Sequence, residues 1–107
     1  MSGFNDREKG FEKKFEHDQE LAFKAKVRRN KLFGLWLGER MGLSEAEAAS
    51  YAKEVIEADL EEPGDEDVLR KVTKDLDAKG KSLAREQLIA EMHRLEIQAR
   101  KEIAEGR

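Results

Sequence analysis

Leu32-Phe33-Gly34-Leu35-Trp36-Leu37-Gly38-Glu39-Arg40-Met41-Gly42-Leu43-Ser44-Glu45-Ala46-Glu47 decides the fold. The stretch from Leu32 to Leu37 is apolar nearly all round, which marks a helix covered by others on most sides. Gly42 is a C-terminal stop, because glycine enters the left-handed conformation that closes a helix at little steric cost. Ser44, with Glu47 three residues on, is a capping box that opens a second helix at once. Helices joined by links this short pack as roughly antiparallel neighbours.

The pattern continues toward the C-terminus. The second helix shows Ala48, Ala52, Val55 and Ile56 on its inner face, with Tyr51 and Leu60 at the borders. It ends before Glu62-Pro63-Gly64, a turn that a helix does not cross smoothly. A third starts near Asp65, turns Leu69, Val72 and Leu76 inward, and is closed by Gly80. Ser82 caps a fourth, whose inner face is Leu88, Met92, Leu95, Ala99 and Ile103. With one proline and few β-branched residues, no sheet is expected. The fold class is all-α: a small four-helix bundle with a mobile, conditionally helical N-terminal extension. Gly34, Gly38 and Gly42 recur every fourth residue on one helical face, which suits close approach of another helix.

Toward the N-terminus, the first helix begins somewhere between Phe11 and Leu21. Ahead of it Phe4, Phe11 and Phe15 are spaced seven and four apart, so a helix aligns them, and Ala22 extends the stripe. The residues around them are charged, with both signs interleaved, and Gly10 costs a helix about 1 kcal/mol relative to alanine. Periodicity leaves two readings open. The stripe is an arm that orders in a partner's groove, or it belongs to the protein's own core.

A chain of 107 residues suits one domain with one modest core. There is no cysteine, hence no disulfide framework and no thiolate site. No apolar run follows Met1 as in a signal peptide, and the apolar stretch is far short of the ~20 residues of a membrane span, so a cytoplasmic protein without membrane insertion is expected. Charged residues make up 42% of the chain, yet the net charge is -3. Residues 1–31 hold nine Lys/Arg against six Asp/Glu, whereas residues 44–78 hold four against twelve. A basic arm beside an acidic middle opposes nucleic-acid binding, which needs a domain-wide basic footprint.

Few constellations carry chemistry. Glu61-Glu62-Pro63-Gly64-Asp65-Glu66-Asp67 lacks calcium-loop spacing, because Arg70 falls where that loop needs glycine. Acidic residues at a helix start are explained by the macrodipole. His17 and His93 are isolated, so no metal site is expected. No serine or threonine has triad partners, and Gly34-x-x-x-Gly38 lacks the lysine of a phosphate loop, so no enzyme is expected. Lys24, Lys26, Arg28, Arg29 and Lys31 form a basic cluster just before Trp36. They read as a solvated face or as a phosphate-binding one.

Taken in order, Phe4-Asn-Asp-Arg-Glu-Lys-Gly-Phe11, Lys14-Phe15-Glu-His17-Asp18, Ala25-Lys-Val-Arg28-Arg29-Asn30-Lys31-Leu32, Tyr51-Ala52-Lys53-Glu54-Val55 and Glu61-Glu62-Pro63-Gly64-Asp65-Glu66-Asp67-Val68 resemble the zeta subunit family of alphaproteobacterial F1Fo-ATP synthase inhibitors. The resemblance covers nearly the whole chain. It implies an inhibitory arm at residues 1–19 on a four-helix bundle at residues 20–107, monomeric when free. The arm would insert at a catalytic alpha–beta interface of the F1 head and reach the gamma subunit, blocking rotation in the hydrolysis direction at the cytoplasmic face of the inner membrane. Carried over by position, Phe4, Asp6, Arg7, Glu8, Phe11, Lys14 and Phe15 would contact F1. Gly10 departs from the alanine or longer side chain of relatives, which weakens the arm's helix. The resemblance also implies adenine-nucleotide binding on the bundle. Chemistry rather than motif selects Arg28, Arg29, Lys31 and Trp36 for ADP or ATP, as a regulatory ligand and not a required cofactor. The alternative function is an adenine-nucleotide-responsive regulatory bundle acting on another cytoplasmic partner, which leaves the phenylalanine stripe unassigned.

Overall fold

The computed structural model describes residues 2–62 and 64–107, with side chains from His17 onward. The proposed arm residues Phe4, Asp6, Arg7, Glu8, Phe11, Lys14 and Phe15, and most of the expected mobile extension, lie outside these described side chains. Four helices follow one another: α1 (Ser2–Arg40), α2 (Glu45–Glu61), α3 (Asp65–Ala78) and α4 (Arg85–Ala104), with no strand among the described residues. The all-α bundle is as expected. α1 packs on α2 and α4, and α3 closes the bundle between those two.

Local chemistry sets the helix ends. α1 stops at Gly42 (φ 76°), where Leu43 N–H donates to Gly38 O at 2.9 Å and Gly42 N–H to Glu39 O at 3.1 Å. This is a Schellman closure, and it satisfies two carbonyls that the helix leaves open. The same pair of bonds recurs after α3 at Gly80 and after α4 at Gly106. Ser44 opens α2 through the expected capping box: its hydroxyl accepts from Glu47 N–H at 3.2 Å, and Glu47 Oε1 accepts from Ser44 N–H at 3.0 Å. These bonds hold the Glu47 carboxyl below its ordinary range. The fourth cap differs from expectation. Ser82 donates instead to Asp77 at 3.1 Å, and α4 starts later, with Ala84 N–H donating to Gln87 Oε1 at 3.2 Å. Leu83 packs against the core, which holds the link outside the helix.

The core comprises Phe33, Leu37 and Met41 of α1, Tyr51 and Val55 of α2, Val68, Leu69, Val72 and Leu76 of α3, and Leu88, Met92 and Leu95 of α4. Tyr51, expected at the border, is buried; Leu60, its counterpart, is 54% exposed. Ile103 is only half-buried, and Val68 joins the inner face of α3. α1 is less enclosed than its composition suggests, because Leu32, Leu35 and Trp36 flank the buried stripe instead of entering it. Paired residues show α1 antiparallel to α2, with Gly34 against Ala52 and Gly38 against Ala48. They show α2 antiparallel to α3, with Glu54–Lys71 and Tyr51–Asp75 in contact. The α3–α4 link departs from this pattern: Arg85 pairs with Glu66, so these two helices begin beside one another.

Two features lock α1 in place. At Gly34 an added Cβ would lie 2.5 Å from Ala52 Cα, and at Gly38 it would lie 2.7 Å from Ala48 Cβ. Only glycine allows backbones this close. Gly42, although in phase with them, meets nothing within 4 Å and serves as the stop alone. About one turn earlier on α1, charge and amide take over the same buried stripe. Arg29 is 2% exposed and Asn30 is 1% exposed. Asn30 Nδ2 donates to Asp59 Oδ2 of α2 at 2.8 Å, and Arg29 Nη2 donates to Asn30 Oδ1 at 3.0 Å. Arg29 also pairs with Asp65 of α3 at 3.0 Å, Asp59 at 3.9 Å and Glu96 of α4 at 4.0 Å. Asp59 Oδ1 accepts from Gly64 N–H at 3.3 Å, which ties the turn after α2 to the same group. No buried side-chain polar atom among the described residues lacks a partner.

These contacts have measurable consequences. Gly34→Ala gains helix propensity of about 1 kcal/mol but overpacks against backbone, for a net loss of about 1–2 kcal/mol in urea unfolding. Ala52→Gly will not rescue it, because the obstacle is Cα; Gly38→Ala will be partly rescued by Ala48→Gly. Asp59→Ala strips a buried arginine of one partner and leaves Asn30 Nδ2 without its acceptor, costing about 3 kcal/mol. Asp65→Ala, at a position more than half exposed, costs under about 1 kcal/mol. Tyr51 donates to Asp75 at 2.8 Å, and burial together with that carboxylate pushes its phenol above the ordinary range. The folded state therefore prefers the neutral phenol. Its contribution is intact below the ordinary value of about 10 and is lost as pH rises above it. Melting temperature should fall more steeply above pH ~10 for the native chain than for Tyr51→Phe.

Candidate functional site

From His17 to Glu20 the side chains of α1 are exposed; Leu21 is the first to be partly covered and Ala25 the first to be buried. Leu21, Ala22 and Ala25 face Ile103 and Ala104 of α4 across a groove of about 300 Å³. The α1–α4 contact therefore has its outer end at the last turn of α4. Residues 17–20, on the far side of Leu21, are exposed and lie on the same helix that Gly34 and Gly38 hold against α2.

The basic cluster divides by direction. Lys24 pairs with Glu20 at 3.2 Å, both exposed. Lys26 reaches Asp59 at 3.8 Å, and Arg28 reaches Glu102 at 3.5 Å. Arg29 turns inward to its carboxylates. Lys31 is exposed. Of the four residues selected for a nucleotide, Arg28 and Lys31 share one groove between α1 and α4. Arg29 is engaged inside the bundle. Trp36 stacks on Phe33 with ring centroids 6.1 Å apart, and the Arg40 guanidinium lies 4.0 Å from its ring centroid. These four side chains thus occupy three different surroundings and form no common cradle.

The buried polar group was within reach of a sequence reading but was missed by it. Arg29 lies on the stripe Ala25, Arg29, Phe33, Leu37, Met41, and Asp59 extends the stripe Ala48, Ala52, Val55. A charge in phase with an apolar stripe signals a buried ion pair, because a cation at a core position needs a partner there. The acidic run from Glu61 to Asp67 is used structurally. Asp65 meets Arg29, Glu66 meets Arg85, and Asp67 meets Arg70 at 3.2 Å. Among the described residues no group of three His, Cys, Asp or Glu could hold a metal ion, and no helix is long and apolar enough to cross a membrane. A second groove, of about 520 Å³, lies between α2 and α3 beside Tyr51, Leu43 and Lys79. Within it the Tyr51 hydroxyl is engaged by Asp75.

No curated protein matches the chain. A solution NMR structure matches with 45% sequence identity and a TM-score of 0.70, over 79% of this chain and 96% of that one. A family profile described as ATPase inhibitor subunit zeta matches residues 1–102, the N-terminal segment included. The chain belongs to the ATPase inhibitor subunit zeta family.

Proposed function

We propose that this protein inhibits the F1Fo-ATP synthase by inserting residues 1–19 at a catalytic alpha–beta interface of the F1 head. The arm reaches the gamma subunit there and blocks rotation in the ATP-hydrolysing direction. The observation that carries this reading is the family match, which runs from residue 1 to residue 102 and so takes in the arm as well as the bundle. The protein is regulatory and performs no chemistry of its own.

The physical argument follows from the stripe. Phe4, Phe11 and Phe15 share one helical face, and burying each in a partner contributes about 1.5–3 kcal/mol. Ordering the arm costs about 1–2 kcal/mol per residue, so the phenylalanines offset that cost only in part. Helix hydrogen bonds and the charged residues Asp6, Arg7, Glu8 and Lys14 supply the remainder and set register in the groove. The arm belongs to α1, the helix that Gly34 and Gly38 hold against α2.

ATP hydrolysis by the organism's isolated F1, titrated with each form of the protein, tests the proposal. The full chain inhibits, and a form lacking residues 1–19 does not. Phe11→Ala and Phe15→Ala each weaken inhibition about tenfold or more, with melting temperature unchanged. Equal inhibition by the shortened form would overturn the arm, and a lower melting temperature in the phenylalanine variants would assign them to the core.

A further inference from the structure

The groove that holds Arg28 and Lys31 has a composition that the bundle itself does not require. Its floor is Val27 of α1 and Ile103 of α4, and Phe23 stands at its edge, 56% exposed. Lys24, Arg28, Lys31 and Arg107 line it, with no aspartate or glutamate among the described residues that do. Its volume is about 490 Å³, room for a few side chains. The carboxylates that pair with these cations sit outside it: Glu20 with Lys24, Glu102 with Arg28, and Glu105 with Arg107. The Lys24–Glu20 pair is more than half exposed on both sides. Such pairs contribute little and exchange easily for a better-placed anion.

We infer that this groove docks an acidic, partly apolar segment of the F1 head outside the site that receives the arm. The inference rests on the reading that the protein binds F1. An exposed aromatic beside apolar side chains and ringed by Arg and Lys is the composition of a protein-binding anchor. Complementary charge around it steers encounter and fixes orientation. Position adds a geometric reason. Phe23 lies on α1 three residues past Glu20, so an arm held in a partner carries this face to the mouth of the same site. A flat anionic membrane suits the groove less well, because Glu20, Glu102 and Glu105 border it and would be pressed against the headgroups.

Binding of the full chain to F1, with association and dissociation rates followed at two salt concentrations, tests this. Phe23→Ala and the double variant Lys24→Glu/Lys31→Glu change exposed residues and are checked for unchanged melting. Each should weaken binding about tenfold. The double variant should lose it through a slower association rate with a flatter salt dependence. With p-benzoylphenylalanine in place of Phe23, illumination should join the chain to an Asp/Glu-rich segment of an F1 subunit. Unchanged affinity in both variants while Phe11→Ala still weakens binding would overturn the groove and leave the arm standing. The reverse pattern would overturn the arm and leave the groove. Loss of the cross-link on adding ATP or anionic vesicles in place of F1 competition by salt would assign the groove to those ligands and overturn the inference. Absence of any binding to F1 by the native chain would overturn both readings.

Discussion

The contact of α1 with α2 at Gly34–Ala52 and Gly38–Ala48 is the constraint on which the rest of the bundle depends. Two backbones that approach this closely leave no room for a side chain at either glycine. In return, they bring the flanking rows, Phe33 and Leu37 on one helix and Tyr51 and Val55 on the other, into one core. The same approach fixes the relative rotation of the helices, because a turn of either would drive a Cβ into its neighbour. The third and fourth helices then close over an edge already defined.

At the far end of that contact the means of attachment changes from steric to electrostatic. Arg29, Asn30 and Asp59 are buried together, and Asp65 and Glu96 complete the surroundings of the guanidinium. Buried charge of this kind adds little net stability over an apolar filling of equal shape. Its effect lies in specificity. The planar guanidinium and the amide accept few arrangements of their partners, so the group ties α1 at once to α2, to the start of α3 and to α4. Beyond it the α1–α4 contact thins to Leu21 and Ala25, and residues 17–20 are exposed. In the proposed function, an arm held in a partner needs a base that does not yield, and the glycine contact and the arginine group would provide it.

Much of this was legible in the residues. The stop at Gly42, the Ser44–Glu47 box, the break before Gly64 and the closure at Gly80 are local events, settled by backbone conformation and side chains a few residues apart. Leu69, Val72 and Leu76 of α3 and Leu88, Met92, Leu95 and Ala99 of α4 follow from spacing alone. Where the residues misled, a distant contact overruled a local signal. Ser82 looks like a cap, yet Leu83 is drawn to the core and the serine turns to Asp77. Leu60 looks like a border residue, but Asp59 beside it takes the inward position to meet Asn30. The basic cluster reads as one patch along the chain, whereas helical rotation sends Arg29 inward and Lys31 outward.

What the sequence by itself determined is the number of helices, most of their ends from Gly42 to Gly80, and family membership, since these depend on local order and on residue succession. Only the tertiary structure decided which glycines are packing contacts and which is a stop, and which cations are committed inside and which remain free to meet a partner. The physical reason is common to both. A backbone approach and a buried ion pair each need two segments far apart in the chain, and nothing in either segment alone fixes the distance between them.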